Sequence, residues 1–340
     1  MVKFTHYIGF DVSGSLLHLS LLNADGQVLS YKEFSNEKER VLKVVRGLVK
    51  KFKLVPEALF CCVESTGRFD RAASEALYQM GIALGVEPWN RIKSVLHRRG
   101  KTDRTDSARI ADHARVNHQR IRRWRPRSVV GEELQDLVRF RESLLKSKRA
   151  DRCRLRAFSS TQTGSKFVNK MLRAKLKQID KQLAKVEVEI GTVIKSSPLF
   201  QRQMRLLLSI PGIGKVTAWY LLSITDGFSR FDSARQLASY AGVVPYQNES
   251  GSSVRRRSVV SKMSNKALKK VLHMAALSAS LKTKKPNDLK AYYHRKAGQG
   301  KNPMSVLNAV RGKLLHIAFA VINRGTPYAP VQAAPALAGN

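Results

Sequence analysis

Between His6 and Asn117 the chain alternates apolar runs of strand length with stretches of helical periodicity, which restricts this part to a sheet covered by helices. HYIGFDV reads as a strand ending at Asp11, LLHLSLLNADGQVLSYKEF as two strands about a turn at Asp25 and Gly26, and ALFCCVEST as a buried strand ending at Glu64. Helical patterns run from Asn36 to Phe52, Phe69 to Met80 and Asp103 to Asn117. A strand, a hairpin and then alternating helices and strands predict a mixed α/β sheet, and chemistry in such sheets gathers at strand ends, where Asp11 and Glu64 fall.

Carboxylates are scarce here. The chain has 62 Lys+Arg against 25 Asp+Glu, a formal net charge of +37, so the expected partner is a polyanion, above all nucleic acid. Asp103 and Asp106 are spaced to share one helix face. Joined by Asp11 and Glu64 they would form an all-oxygen cluster suited to Mg2+ or Mn2+, ions that activate a nucleophile and stabilise a leaving oxygen in phosphoryl transfer. The bland alternative for the two aspartates is capping of a helix N-terminus. No stretch approaches the ~20 apolar residues of a membrane span, and MVKFTHYIGF lacks the pattern of a signal peptide. The expectation is a cytoplasmic, nucleoid-associated protein with no membrane partner. Cys61, Cys62 and Cys153 are odd in number, which argues against a disulfide framework or a zinc site.

An arginine-rich stretch from Ile121 to Ser128 closes the first part. Leu172, Leu176, Ile179, Leu183, Val186, Ile190 and Val193 then recur at heptad spacing, predicting a coiled coil for which Glu132 to Arg156 offers an antiparallel partner; the alternative is a long helix packed on its own domain. From Phe200 the pattern is helical again. LLLSIPGIGKVTAWYLLS places Pro-Gly-Ile-Gly between two helices, a helix-hairpin-helix-like arrangement whose turn can hold a phosphate. YQNESGSSVRRRSVVSKM reads as a loop, and Thr326 to Asn340, rich in Ala and Pro, as a disordered tail. In the loop, Ser250, Ser252 and Ser253 stand beside Arg255, Arg256 and Arg257. Guanidinium groups stabilise charge on phosphate while a serine attacks it, although a flexible basic loop that only touches phosphate has the same composition.

The ordered segments GFD, VESTG, KTDRTDSARIA, SIPGIGKVTA, LASYAGVVP, ESGSSVR and SKMSNKALKKVLHMAA resemble the DEDD-serine transposases of the insertion sequence 110 family, the bridge-RNA-guided recombinases, over nearly the whole chain. The resemblance implies a RuvC-like, ribonuclease-H-type domain over residues 1–127, a coiled-coil connector over 128–198 and a mainly α serine domain over 199–325. Asp11, Glu64, Asp103 and Asp106 match the family's four acids, and Ser250 its nucleophile, with Ser252 and Ser253 as alternatives. Two departures are Ser253-Val254-Arg255-Arg256 where the family has SVRG, and Ser107 where alanine follows the fourth acid. Implied partners are donor and target duplex DNA, a structured guide RNA, and further copies of the chain as a dimer assembling to a tetramer. Nucleic-acid contacts are expected from Arg98, Arg99, Lys101, Arg104, Arg122, Arg123, Arg125, Gly212, Gly214, Lys215 and Arg255 to Arg257. A metal-dependent, structure-specific nuclease using water, like a Holliday-junction resolvase, is the competing expectation.

Overall fold

The structure is a computed structural model; it describes residues 3–93, 102–159, 165–250, 254–283 and 286–330, with the backbone alone at 93, 159, 248–250 and 254–257. Two compact units are present, Met1–Pro126 and Arg127–Asn340.

The first unit comprises β1 (His6–Ser13), β2 (Leu16–Asn23), β3 (Val28–Ser35), α1 (Lys38–Lys51), β4 (Leu59–Glu64), α2 (Arg71–Gln79), β5 (Ala83–Glu87), α3 (Trp89–Lys93) and α4 (Asp103–Asn117). Its sheet runs β3-β2-β1-β4-β5. The first three strands form an antiparallel meander, and β4 and β5 join parallel to β1 through helical crossovers. Alternation of side chains sends Ile8, Phe10, Val12, Leu19, Leu21, Cys61 and Val63 to a core with Val41, Val45 and Leu77 of α1 and α2. Tyr7, Phe60 and Cys62 point the other way, toward Ile110 and Ala114 of α4 and Ile92 of α3.

Small residues let α4 lie close on that second face. A Cβ at Gly9 would sit 2.2 Å from both the Ala111 nitrogen and the Ser107 oxygen. Ser107, the departure from alanine, is fully buried and shares a 2.8 Å hydrogen bond with Ser20 of β2, so its hydroxyl is satisfied. The chain leaves this unit along the arginine-rich stretch, where the Trp124 N–H donates to the Leu84 carbonyl.

The second unit comprises α5 (Val129–Ser159), α6 (Lys166–Ser196), α7 (Pro198–Leu208), α8 (Lys215–Thr225), α9 (Ala234–Tyr240), β6 (Pro245–Ser250), β7 (Val254–Val260), α10 (Lys266–Leu277), a π-helical turn (Ser278–Lys282), α11 (Asp288–Gly298) and α12 (Pro303–Arg324). Helices α5 and α6 form an antiparallel hairpin, laced by ion pairs Arg141–Glu187 (2.7 Å), Lys148–Asp180 and Lys175–Asp151 (3.0 Å). Ile179, Leu183, Val186, Ile190 and Val193 are buried in one cluster with Leu134, Val138 and Leu144 of the same chain. The central heptad seam is therefore covered by α5 of the same chain. The root of α5 is anchored where Arg127 donates to the carbonyls of Ser223 and Ile224 and the Ser128 N–H and hydroxyl donate to Asp226. Burial pushes the Arg127 guanidinium down to about 10, with the neighbouring Arg230 acting in the same direction.

Three further expectations change. The loop after Val244 is a two-stranded antiparallel ribbon, β6 with β7, because backbone pairing needs no apolar alternation to form. The tail begins ordered: the Tyr328 N–H donates to Ser209 and its hydroxyl to Asp288 (2.9 Å), giving the first residues after α12 partners that composition does not reveal. Finally, α12 is by length and composition apolar enough to cross a membrane. Val310, Leu314, Leu315 and Ala318 on it are buried in the second unit's core, which accounts for that apolar character.

Candidate active site

Register sets five positions in one line across the first sheet. Glu33 of β3 lies opposite His18 of β2, and His18 opposite Asp11 of β1. Phe10 pairs with Val63, so Asp11 stands one step further on beside Glu64 of β4, which in turn pairs with Glu87 of β5. Adjacent strands are about 4.8 Å apart, and alternation from Gly9 and Cys62 directs Asp11 and Glu64 to the face that α4 covers.

Helix α4 brings the other two acids. Its N-cap is Thr102, which forms a capping box with Thr105. Capping therefore falls to the threonines, leaving Asp103 and Asp106 in the first turn without that duty. Asp106 is 3% exposed and pairs with Arg109 at 2.8 Å. Asp103, its side chain 61% exposed, lies 3.5 Å from Nε2 of the buried His18, whose Nδ1 is 2.9 Å from the Tyr31 hydroxyl. Burial raises the Tyr31 pKa, and the carboxylates of Glu33, Asp103 and Asp11 raise it further, as expected for a phenol at the rim of an acidic patch.

Among the described residues no three His, Cys, Asp or Glu side chains form a ready ligand set. Asp103 lies beside His18 and Asp106 pairs with Arg109, so the four carboxylates at this end of the sheet have basic side chains among their neighbours. The donors still fit a hard divalent cation in type, oxygen only, and in the adjacency of Asp11 and Glu64.

Glu87 is the acid that the sequence reading missed. It is 4% exposed and pairs with Arg91 at 3.2 Å. Burial raises the Cys62 thiol, and Glu87 and Glu64 raise it further; burial lowers the His113 pKa, with Glu87 opposing. The signal was present, since IALGVE is another apolar run stopping on a carboxylate. His18 and Tyr31 had no such signal, because only pairing of β2 with β1 and β3 brings them to the acids.

In the second unit Ser250 is the last residue of β6 and pairs with Val254, which puts it at the tip of the ribbon. Ser252 and Ser253 lie outside the described residues, as do Arg98, Arg99 and Lys101. Arg255, Arg256 and Arg257 follow on β7, Arg255 opposite Glu249 and Arg256 opposite Asn248. Gly214 and Lys215 are exposed at the N-terminus of α8. Gly212 serves packing: at φ +85°, a Cβ there would come within 2.3 Å of the Ala275 carbonyl oxygen. In the first unit Arg122 and Arg125 are exposed, Arg104 lies over the Tyr31 ring at 5.5 Å, and Arg123 stacks over Phe60 and Phe4 at 4.3 and 4.8 Å.

Comparison with known proteins matches residues 8–159 to the IS110-type DEDD model described as "Transposase" and residues 204–294 to the "Transposase IS116/IS110/IS902 family". The chain is 28% identical to the pilin gene-inverting protein of Moraxella lacunata and 29% identical to that of Moraxella bovis, in each case over 68% of both chains. It is 30% identical to a 43.6 kDa protein of insertion element IS110 from Streptomyces coelicolor, over 46% of this chain and 37% of that one. Both regions that carry the acidic row and the ribbon thus fall inside matches to one family, and the chain belongs to the IS110 family of DEDD transposases.

Proposed function

We propose that this chain is an RNA-guided, site-specific DNA recombinase that excises and inserts an insertion-sequence element through a covalent phosphoserine. The observation that carries the reading is the placement of Asp11 and Glu64 on adjacent strands, on the face where α4 presents Asp103 and Asp106. Strand order 3-2-1-4-5 with β2 antiparallel supports a ribonuclease-H-type, RuvC-like domain. The gene-inverting activity named for the Moraxella relatives supports cutting paired with rejoining. The DEDD match supports divalent-metal dependence, here assigned to Mg2+.

In this reading Asp11, Glu64, Asp103 and Asp106 would hold the ion, which would supply charge stabilisation for phosphoryl transfer. Arg109 orients Asp106, and His18, held by Tyr31, orients Asp103. Ser250 gives up its hydroxyl proton to a carboxylate of the row, and its Oγ bonds to phosphorus. The bond from phosphorus to the 3′ oxygen breaks, and that oxygen leaves as a 3′ hydroxyl after taking up a proton. The phosphoserine retains the energy of the broken ester, so a second 3′ hydroxyl can reverse the step on a new partner strand. Gly214 and Lys215 at the α8 N-terminus, with the preceding turn, would act as a helix-hairpin-helix-like backbone clamp. The α5–α6 hairpin serves as the coiled-coil connector, and copies assemble as dimers pairing into tetramers.

The test is peptide mapping of a denaturation-resistant protein–DNA adduct formed with Mg2+, duplex DNA and a transcript from the flanking non-coding DNA. Attachment at Ser250, abolished in Ser250→Ala and in Asp11→Asn, is the expected result. Strand cleavage with no adduct would establish the water-using nuclease instead, and cleavage unaffected by the transcript would remove RNA guidance.

A further inference from the structure

A second charged site lies in the helical unit. A groove of about 1120 Å³ opens between α10, α12 and the base of the β6–β7 ribbon; its polar lining includes Lys262, Lys269, Arg311, Lys313, His316 and Ser258. No carboxylate is among the described residues that line it. Arg311 is 8% exposed, an unusual position for a guanidinium without an acid, and among the described residues none pairs with it. Its Nη2 donates to His273 Nδ1 at 2.6 Å and its Nη1 to Asn308 Oδ1 at 3.4 Å, while Nε has no partner. Because His273 accepts at Nδ1, it is neutral and carries its proton on Nε2.

Burial lowers the Arg311 pKa, and the Lys269 and His273 values are lowered by burial and then by the Arg311 charge. A buried cation is ordinarily retained beside a counter-charge, because desolvation without one is costly. Here basic groups surround a groove, and no acid is among the described residues that line it. Arg311 is also connected to the ribbon: Asn308, which accepts from Arg311, donates to the Val243 carbonyl at 2.8 Å, two residues before β6 begins at Pro245.

We propose that this groove binds a backbone phosphate of DNA, with Arg311 as its principal ligand and Lys269 beside it. The assignment to DNA rests on the proposed role of Ser250, since β6 and β7 form one wall of the groove and β6 ends at that residue. A phosphate held at the base would set the register of the strand presented to the tip.

The experiment uses the full chain carrying Ser250→Ala, so that binding is read without chemistry and a wrong nucleophile assignment leaves the result intact. Affinity for a duplex is measured against salt for the parent, Arg311→Met and Lys269→Met. Arg311→Met should weaken binding about ten- to a hundredfold, as expected for one charge-assisted contact, and lower the salt slope by about 0.9. A single neutral methylphosphonate, moved along the duplex, should at one position weaken the parent and leave Arg311→Met unaffected. With no nucleic acid present, Arg311→Met should melt at or above the parent temperature, because an uncompensated buried charge has been removed. If Arg311→Met fails to fold, Lys269→Met carries the salt-slope and methylphosphonate measurements. An unchanged slope with a lowered melting temperature would make Arg311 a structural residue and overturn the proposal. A binding defect seen with structured RNA but not with DNA would overturn the assignment to DNA.

Discussion

At the scale of single residues, the acidic edge depends on neighbours that hold carboxylates and on a glycine that lets them approach. Tyr31→Phe removes the hydroxyl that fixes His18 and with it the partner of Asp103. The expected result is a rise of about tenfold in the Mg2+ concentration for half-maximal cleavage, the usual effect of losing a group that orients a metal ligand, with duplex affinity unchanged. A titration with an unshifted midpoint would remove Tyr31 from the site. Gly9→Ala acts differently. Its methyl meets the backbone of α4, which cannot rotate away, so α4 must lift from the sheet. Overpacking of this kind costs about 1–3 kcal/mol; urea unfolding of the variant should show that loss together with reduced cleavage.

At the scale of elements, the hairpin and the ribbon sit at opposite ends of local stability. Ile190 of α6 is fully buried, whereas Val188 beside it is 69% exposed. Ile190→Ala should therefore cost about 2–5 kcal/mol and Val188→Ala almost nothing, read as denaturant midpoints. Equal effects would contradict the packing of α6 on α5. The β6–β7 ribbon has only two strands, and isolated ribbons of that kind are marginal in water. Its amides should exchange with solvent faster than those of β1 and β4, and bound DNA should slow them if the ribbon presents Ser250 to a phosphate. Protection already equal to the central strands without DNA would count against a ribbon that orders on its substrate.

At the scale of the whole molecule, net charge and two shielded histidines set the response to salt and pH. With a formal charge of +37, affinity for DNA of unrelated sequence should fall steeply with salt, by about 10³- to 10⁵-fold between 50 and 200 mM if six to ten phosphates are neutralised. A shallow dependence would mean that most of the lysines and arginines do not touch the backbone. His113 and His273 both lie below their ordinary value of 6.5 in the folded chain. On acidification the unfolded chain takes up those protons first, so stability is complete above about pH 6.5 and declines as pH falls through the lowered values. Melting temperature should drop across that window, less in His113→Gln than in the parent.

Much of this chemistry was legible in the one-dimensional pattern, because apolar runs that stop on a carboxylate mark strands: Glu64 closes β4 as that pattern predicts, while pairing with β2 carries β1 two residues past Asp11 to Ser13. The helix beginning at Asp103 and the turn at Gly26 were likewise local matters of periodicity and backbone freedom. Partners were another matter. That Thr102 caps α4, that His18 reaches Asp103, and that Ser20 satisfies Ser107 depend on which strand lies beside which. The heptads of α6 specified an apolar stripe, yet whether α5 or another subunit covers it depends on chain reversal between the two helices. Arg311 shows the same division most clearly: in the sequence it is one of 62 basic residues, and only burial without a counter-charge, which is a property of the packed chain, distinguishes it from the rest.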